Sequence, residues 1–123
     1  MRQETFKPGQ IVCLETEKSI LYAEVIQIVP QRLLCWARPL TIVSKSAITN
    51  YNFDPDTNLE MIDLRSASDL LLPISLFRSS FDTEAIGVLA ELASMESEIN
   101  QSEKFFNLND FVRELCKNNQ DKF

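Results

Sequence analysis

Apolar and polar residues alternate over short distances through residues 8–43, which is the pattern of half-buried strands. A Pro8-Gly9 turn opens this region, and short polar breaks separate its apolar runs. The predicted strands are residues 11–14, 20–29, 32–38 with a continuation at 40–43, 59–64 and 69–73. Five short strands joined by tight turns predict a small five-stranded β-barrel.

The second predicted strand contains an irregularity. Glu24 and Gln27 are three residues apart, so they cannot both point outward on a strand of period two. A bulge or a sharp coil near Val25 and Ile26 would resolve this conflict and direct Ala23, Val25 and Ile28 inward. Bends of this kind allow a small sheet to close on itself.

Residues 44–58 interrupt the strand pattern, because they are rich in Asn, Asp, Ser and Thr and contain a proline. This composition predicts a long surface loop, and long loops in compact domains are often functional. Residues 73–77, after the last predicted strand, are apolar but too few for a full helix.

The hydrophobic period becomes helical from residue 82. The first helix is predicted to bury a stripe of Ile86, Leu89, Ala90 and Ala93, with Val88, Leu92 and Met95 beside it. The second helix is predicted over residues 107–117, with an apolar face of Leu108, Phe111, Val112 and Leu115. It either docks on its own barrel or detaches to bind a partner. We expect an α+β protein, with a barrel at residues 1–80 and a helical extension at 81–123 packed on it.

Charge is unevenly placed along this acidic chain of net charge −6. Residues 82–123 carry nine acids and four bases, whereas residues 1–81 are nearly balanced. Nucleic-acid binders need surplus Lys and Arg to neutralise phosphates, so this class of function is disfavoured. Binding to an anionic membrane surface is disfavoured for the same reason.

The three cysteines, Cys13, Cys35 and Cys116, are widely spaced, and no Cys-x-x-Cys pair is present. We expect free thiols, as in a reducing compartment, with the first two on strands and the third on a helix face. No apolar run has the length of a signal peptide or a membrane span. A cytoplasmic protein without membrane insertion is therefore expected.

Aromatic residues are the best candidates for contacts with a partner. Tyr22 and Trp36 lie on predicted strands, where they either belong to the core or present a peptide-binding patch. Tyr51 and Phe53 lie in the polar loop, where they either anchor a partner or fold back over the open end of the barrel. The sequence leaves these alternatives open.

Motifs that carry chemistry are scarce. The chain has no histidine and only two glycines, and it shows no phosphate-binding loop, metal-ligand cluster or nucleophile motif. Carboxylate pairs at positions 54/56 and 96/98 lie in polar contexts, whereas general acid–base catalysis needs an apolar pocket that separates their pKa values. We therefore expect neither an enzyme nor a cofactor or metal site.

Three motifs together indicate a type of barrel. They are Pro8-Gly9 followed by Val12, the run Tyr22, Ala23, Val25 and Ile28, and the late strand Leu70, Leu71, Leu72 and Pro73. On these motifs, residues 6–43 and 69–77 resemble a small SH3-like barrel, in the broad sense that includes Tudor-type barrels. The resemblance implies a binding module. It does not extend to a methyl-lysine cage, because a full set of cage aromatics cannot be matched here.

The segments LLCWARPL at residues 33–40 and DLLLPISLFR at residues 69–78 carry a second resemblance. On them, most of the chain resembles an uncharacterised cyanobacterial family of small soluble proteins, which brings no known activity. This resemblance implies a location in the cytoplasm of a photosynthetic prokaryote or on the cytoplasmic face of its thylakoid.

These observations together predict a non-catalytic protein–protein interaction module that acts as an adaptor or assembly factor for a larger complex. Its acidic C-terminal part is expected to meet a basic surface of the protein partner, with Glu96, Glu98 and Glu103 as candidate contacts. The alternative is a stoichiometric accessory subunit of a photosynthetic or electron-transfer complex. A nucleic-acid-binding barrel is a weaker alternative because of the acidic charge.

Changing Glu96, Glu98 and Glu103 to glutamine is expected to slow association with the partner, most visibly at low salt, because these acids attract a basic surface. The melting temperature should hardly change, since solvated charges contribute little to stability. Changing Tyr51 and Phe53 to alanine should instead speed dissociation, because buried aromatics supply affinity. Surface plasmon resonance at two salt concentrations separates these effects. Unchanged rate constants for both variants place the interface on the strands instead.

Overall fold

A computed structural model describes residues 6–44, 48–49, 52–53, 61–65, 67–80, 82–94 and 101–120. For residues 48–49, 52–53, 61, 82 and 101–107 it describes the backbone alone. In this part of the chain the elements are β1 Ile11–Glu15, β2 Ser19–Val29, β3 Leu34–Ser44, β4 Ile48–Thr49, β5 Asn52–Phe53, β6 Met61–Asp63, β7 Leu70–Pro73, β8 Phe77–Ser79, α1 Asp82–Ser94 and α2 Gln101–Asn118. Three-residue 3₁₀ turns at Pro30–Arg32 and Ile74–Leu76 join β2 to β3 and β7 to β8.

Six strands form one antiparallel sheet in the order β6-β3-β2-β1-β8, and β7 pairs with β3 beside β6. β7 pairs with the first residues of β3, and β6 pairs with residues 41–43. Pro39 lies between these two paired segments. Proline has no N–H to donate, so such a break in the ladder is where a sheet tolerates it. β4 and β5 form a separate hairpin inside the predicted loop, and β5 lies against α1.

The β2–β3 ladder shifts register twice, first next to Tyr22 and again at Ile26. The second shift leaves Ile26 without an opposite residue, which confirms the bulge predicted near Val25. Ala23 and Val25 are consequently buried in the core, and Ile28 packs against it.

The sheet is not closed, so the prediction of a closed five-stranded barrel is wrong. Closure requires a ladder between the two edges of the sheet, and no ladder of this kind joins the described strands. β7 pairs with β3, and β8 pairs with β1. Only the Ile74–Leu76 turn separates β7 from β8 along the chain, so these two strands follow one another and do not pair with each other. The α+β class, an antiparallel sheet followed by two helices, is confirmed.

Two hydrophobic clusters cover the two faces of the sheet. The larger cluster includes Val12, Leu14, Leu21, Ala23 and Val25 of the sheet with Leu108, Phe111 and Leu115 of α2. The smaller cluster contains Cys13, Ile20, Tyr22 and Val43 with Val88 of α1. Because neighbouring strand residues alternate between faces, the two helices lie against opposite faces of the sheet. The apolar face predicted for the second helix is confirmed, and that helix is docked.

The first helix buries a different face from the predicted one. Val88 and Leu92 are buried, whereas Ile86 of the predicted stripe is 70% exposed. Of the other stripe residues, Ala90 and Ala93 are exposed and Leu89 is half-buried. Glu84 is fully buried. Val88 and Leu92, four and eight residues later, lie on the same side of the helix and are buried as well. The prediction left Glu84 out and placed Val88 and Leu92 beside the stripe rather than at its centre.

Val25→Asp is expected to unfold the protein, whereas Glu24→Ala should be tolerated. Val25 is buried, and its N–H and C=O bond Gln10 and Gly9, so the new carboxylate cannot swing out to solvent. A buried, unpaired charge costs about 3 kcal/mol or more. Glu24 is only half-buried. Circular dichroism melts of both variants test this, and equal melting temperatures contradict the inward orientation of Val25.

Candidate functional site

An exposed apolar surface lies on β3 and β7. Trp36 of β3 is 39% exposed, and Leu71, which opposes it in the ladder, is 54% exposed. Directly opposed residues project from the same face of a sheet, so these two side chains are neighbours. Arg38, two residues along β3, lies on the same face. We call Trp36, Arg38, Asp69 and Leu71 the Trp36 surface.

Asp69 connects the polar atoms of this surface. The indole Nε1 of Trp36 donates a hydrogen bond to Asp69 Oδ2 at 3.1 Å, and Arg38 Nε lies 3.8 Å from Asp69 Oδ1. The hydrogen bond limits the orientations of the indole before any partner arrives. Tryptophan and arginine are also the residue types most enriched among the energetically dominant residues of protein interfaces.

Tyr22 has the opposite environment, because it is fully buried between the sheet and α1. Its hydroxyl donates a hydrogen bond to Oε1 of Glu84. Of the two alternatives left open by the sequence, a core residue or a residue of a binding patch, the structure places Tyr22 in the core.

A buried polar cluster surrounds Glu84, which has no exposed surface. Besides the Tyr22 hydroxyl, its Oε1 accepts hydrogen bonds from Arg78 Nη2 at 3.0 Å and from Cys13 Sγ at 3.7 Å. Its Oε2 is buried and has no hydrogen-bond partner among the described residues. Arg78 also pairs through Nε with Glu15. We call these five residues the Glu84 cluster.

The protonation states of the donors follow from this geometry. Burial, reinforced by the hydrogen bond to Glu84, raises the pKa of Tyr22 well above its usual range. Burial likewise raises the pKa of the Cys13 thiol, although nearby Arg78 opposes the shift. Burial lowers the pKa of Arg78, but hydrogen bonds to Glu15 and Glu84 outweigh it and raise the pKa overall. At neutral pH the cluster therefore contains a neutral phenol, a neutral thiol and a charged guanidinium.

Burial keeps the thiols of Cys13 and Cys35 in the protonated form. The nucleophilic form of cysteine is the thiolate, which the raised pKa of Cys13 disfavours. Burial raises the pKa of Cys35 to about 11. All three cysteines are free, with the first two buried and Cys116 half-buried on α2, as the sequence predicts. The hydrogen bonds of the Glu84 cluster connect α1 to the sheet.

A cleft of about 310 Å³ opens beside the Glu84 cluster. Its lining comes from β1, the Ile74–Leu76 turn, β8 and the end of α2. The lining residues are Cys13, Glu15, Ser75, Leu76, Phe77, Arg78, Leu115 and Asn119. The cleft lies at the β1–β8 edge of the sheet, whereas the Trp36 surface lies on β3 and β7.

The side chains of the five other candidate residues are outside the part of the chain that the structure describes. Tyr51, Glu96 and Glu98 lie outside the described residues. Phe53 lies in β5 and Glu103 in α2, where the backbone alone is described. Their proposed contacts with a partner stay predictions.

Four residues of the two sites were not predicted from the sequence as site residues: Leu71, Asp69, Arg78 and Glu84. A signal for Glu84 was present, since it precedes Val88 and Leu92 by four and eight residues. Asp69 and Arg78 have no such signal, because their contacts with Trp36 and Glu15 join residues far apart in sequence.

No family model, curated protein or solved structure matches this chain. The two resemblances drawn from sequence motifs therefore stay expectations. Within the described ranges, no three or more His, Cys, Asp or Glu side chains are grouped so that they could hold a metal ion. None of the helices in that part of the chain has the length and apolarity that crossing a membrane demands.

Tyr22→Phe is expected to destabilise the protein by about 2 kcal/mol, because it removes a donor from a carboxylate that stays buried. Urea unfolding with an unchanged m-value measures this loss. In a Glu84→Leu background the same substitution should cost much less, since the hydroxyl has already lost its acceptor. Additive effects in the double variant contradict a direct coupling between the two side chains.

Proposed function

We propose that this chain is a non-catalytic protein–protein interaction module, acting as an adaptor or assembly factor, that binds its partner through the Trp36 surface. One observation carries the proposal: Trp36 is 39% exposed although its indole N–H already has a partner in Asp69. Tryptophan is usually highly buried in soluble domains. An exposed tryptophan with a fixed ring is typical of an anchor residue in an interface.

The surroundings of Trp36 support an energetically favourable interface. Leu71 beside it is 54% exposed, and it adds apolar area that a partner can cover. Each Å² of apolar surface removed from water stabilises a complex by about 25 cal/mol before the costs of association. The hydrogen bond to Asp69 reduces one of those costs, because the indole loses less freedom on binding.

The charge of the chain favours a partner with a basic surface. The net charge is −6, and exposed acids on the helices include Glu91, Asp110 and Glu114. Surface acids of this kind mainly accelerate encounter with a basic protein, whereas the apolar anchors slow dissociation. The proposed partner therefore combines a basic surface with an apolar recess that accepts the indole.

Trp36→Ala is expected to weaken binding about tenfold or more, as loss of a central aromatic anchor does. Leu71→Ala should weaken it less. Affinity capture from native cells at low and high salt identifies the partner, and calorimetry on the purified pair measures its dissociation constant.

The matched control for this experiment is Ile86→Ala, since Ile86 is a 70% exposed apolar residue on α1 and is not one of the residues of the Trp36 surface. It should leave binding unchanged. A partner that binds Trp36→Ala and wild type equally contradicts the proposal. Co-purification in a fixed ratio points to the alternative of a stoichiometric accessory subunit, and salt-sensitive, substoichiometric recovery points to an assembly factor.

A further inference from the structure

The strand β7 presents a bare edge of the main sheet. In the part of the chain that the structure describes, β7 pairs with β3 alone, and its four residues, Leu70–Pro73, carry no charge. Proteins usually protect an exposed strand edge with charged side chains, because a bare edge pairs with strands of other chains. At the opposite edge of the sheet, β8 has Arg78 at its centre, held by Glu15 and Glu84. β7 has no charge of this kind.

The hydrogen bonds between β3 and β7 decide which backbone groups of β7 point outward. The N–H of Ile74 bonds to the carbonyl of Leu33 at 2.9 Å. This bond continues the register that sets Trp36 opposite Leu71, and in an antiparallel ladder hydrogen-bonded pairs alternate with pairs that exchange no hydrogen bonds. Leu72 therefore bonds to β3, whereas the N–H and C=O of Leu71 point away from it. These two groups have no hydrogen-bond partner among the described residues.

The outward groups of β7 complement those of a second copy of the chain. When Leu71 of each copy opposes Leu71 of the other around a twofold axis, each donates its N–H to the other's carbonyl. Two residues away, Asp69 opposes Pro73 of the second copy. By the same alternation the N–H of Asp69 points outward, and the Pro73 carbonyl accepts it although proline has no N–H to return. Each outward N–H of residues 69–73 then has an acceptor.

The same register matches the side chains on the face of the Trp36 surface. Leu71 then lies between Trp36 of its own copy and Leu71 of the second copy, so the four apolar side chains form one row. Asp69 lies beside Pro73 of the second copy rather than beside another acid, and it keeps its contact with Arg38. A shift of two residues is worse in either direction, because Leu71 then opposes Asp69, an acid, or Pro73, which donates no N–H.

We propose that two copies of this chain associate through their β7 edges, which extends the sheet across a twofold axis. Both copies use the same edge, so the contact closes at a dimer and does not grow into a fibre. A four-residue edge is small beside a standard interface of roughly 800 Å² per partner, so the dimer is weak, with a dissociation constant of about 100 µM. It sets two Trp36 surfaces side by side on one face, where a partner can engage both at once.

Hydrogen exchange of the purified full chain, followed by NMR at about 20 µM and at about 1 mM, tests the edge directly. The Leu71 amide should exchange about threefold more slowly at the higher concentration, because dimerisation removes it from water. The Leu72 amide, which bonds to β3 in the monomer, is the internal control and should be protected at both concentrations. A Leu71 amide whose exchange is independent of concentration overturns the proposal, and so does protection that appears only when another protein is added.

Two lysine substitutions form a matched pair, because Leu71 and Ile86 are both exposed apolar residues. Leu71→Lys sets two ammonium groups against each other at the twofold axis, so the dissociation constant from sedimentation equilibrium should rise about tenfold or more. This weakening is expected although the added lysine reduces the net charge of −6, which by itself favours association. Ile86→Lys should not weaken the dimer. An unchanged constant for Leu71→Lys, or equal weakening by both substitutions, overturns the proposal.

A second pair of variants separates the backbone of Leu71 from its side chain. Leu71→Pro removes the outward N–H and no hydrogen bond to β3, so the chain should fold, as circular dichroism checks, but should no longer dimerise. Leu71→Ala keeps this N–H and should dimerise about threefold more weakly than wild type. Equal dimerisation of the two variants overturns the proposal. None of these measurements includes the protein partner, so their failure remains separate from failure of the proposed function.

Discussion

The antiparallel ladder between β2 and β3 is the interaction on which the other elements depend. Both strands have 11 residues, and each other strand of the main sheet pairs with one of them or with β1. Its two register shifts decide which side chains face each cluster, since a shift of one residue reverses the faces of a strand. Tyr22 and Trp36 both project away from the larger cluster, and α1 covers Tyr22 whereas Trp36 stays exposed.

Glu84 shows how one polar residue orients a helix against a sheet. Three side chains of the sheet donate hydrogen bonds to its Oε1. These bonds fix the rotation of α1 about its own axis relative to the sheet. Buried charged groups contribute little net stability, because desolvation offsets the attraction, but removing one partner is costly. The cluster therefore specifies the orientation of α1 more than it strengthens the fold.

Local pattern predicted the features that depend on neighbouring residues. The spacing of Glu24 and Gln27 located a bulge, and the period of α2 identified its buried face. Barrel closure depends on contacts distant in sequence, which periodicity does not encode. The candidate site was predicted only through Trp36, because its neighbours Leu71 of β7 and Asp69 just before β7 are more than 30 residues away in sequence.

The separation between β1 and β8 along the chain has a consequence for the order of folding. β2 and β3 are joined by a short turn, so their hairpin closes at small entropic cost. Cys13 and Glu84 are 71 positions apart, and their contact forms only when β8 and α1 return to β1. Long-range pairing of this kind slows folding, so the β1 edge remains open to other strands until β8 arrives. Assembly of the Glu84 cluster thus marks the moment at which β8 covers the edge of β1.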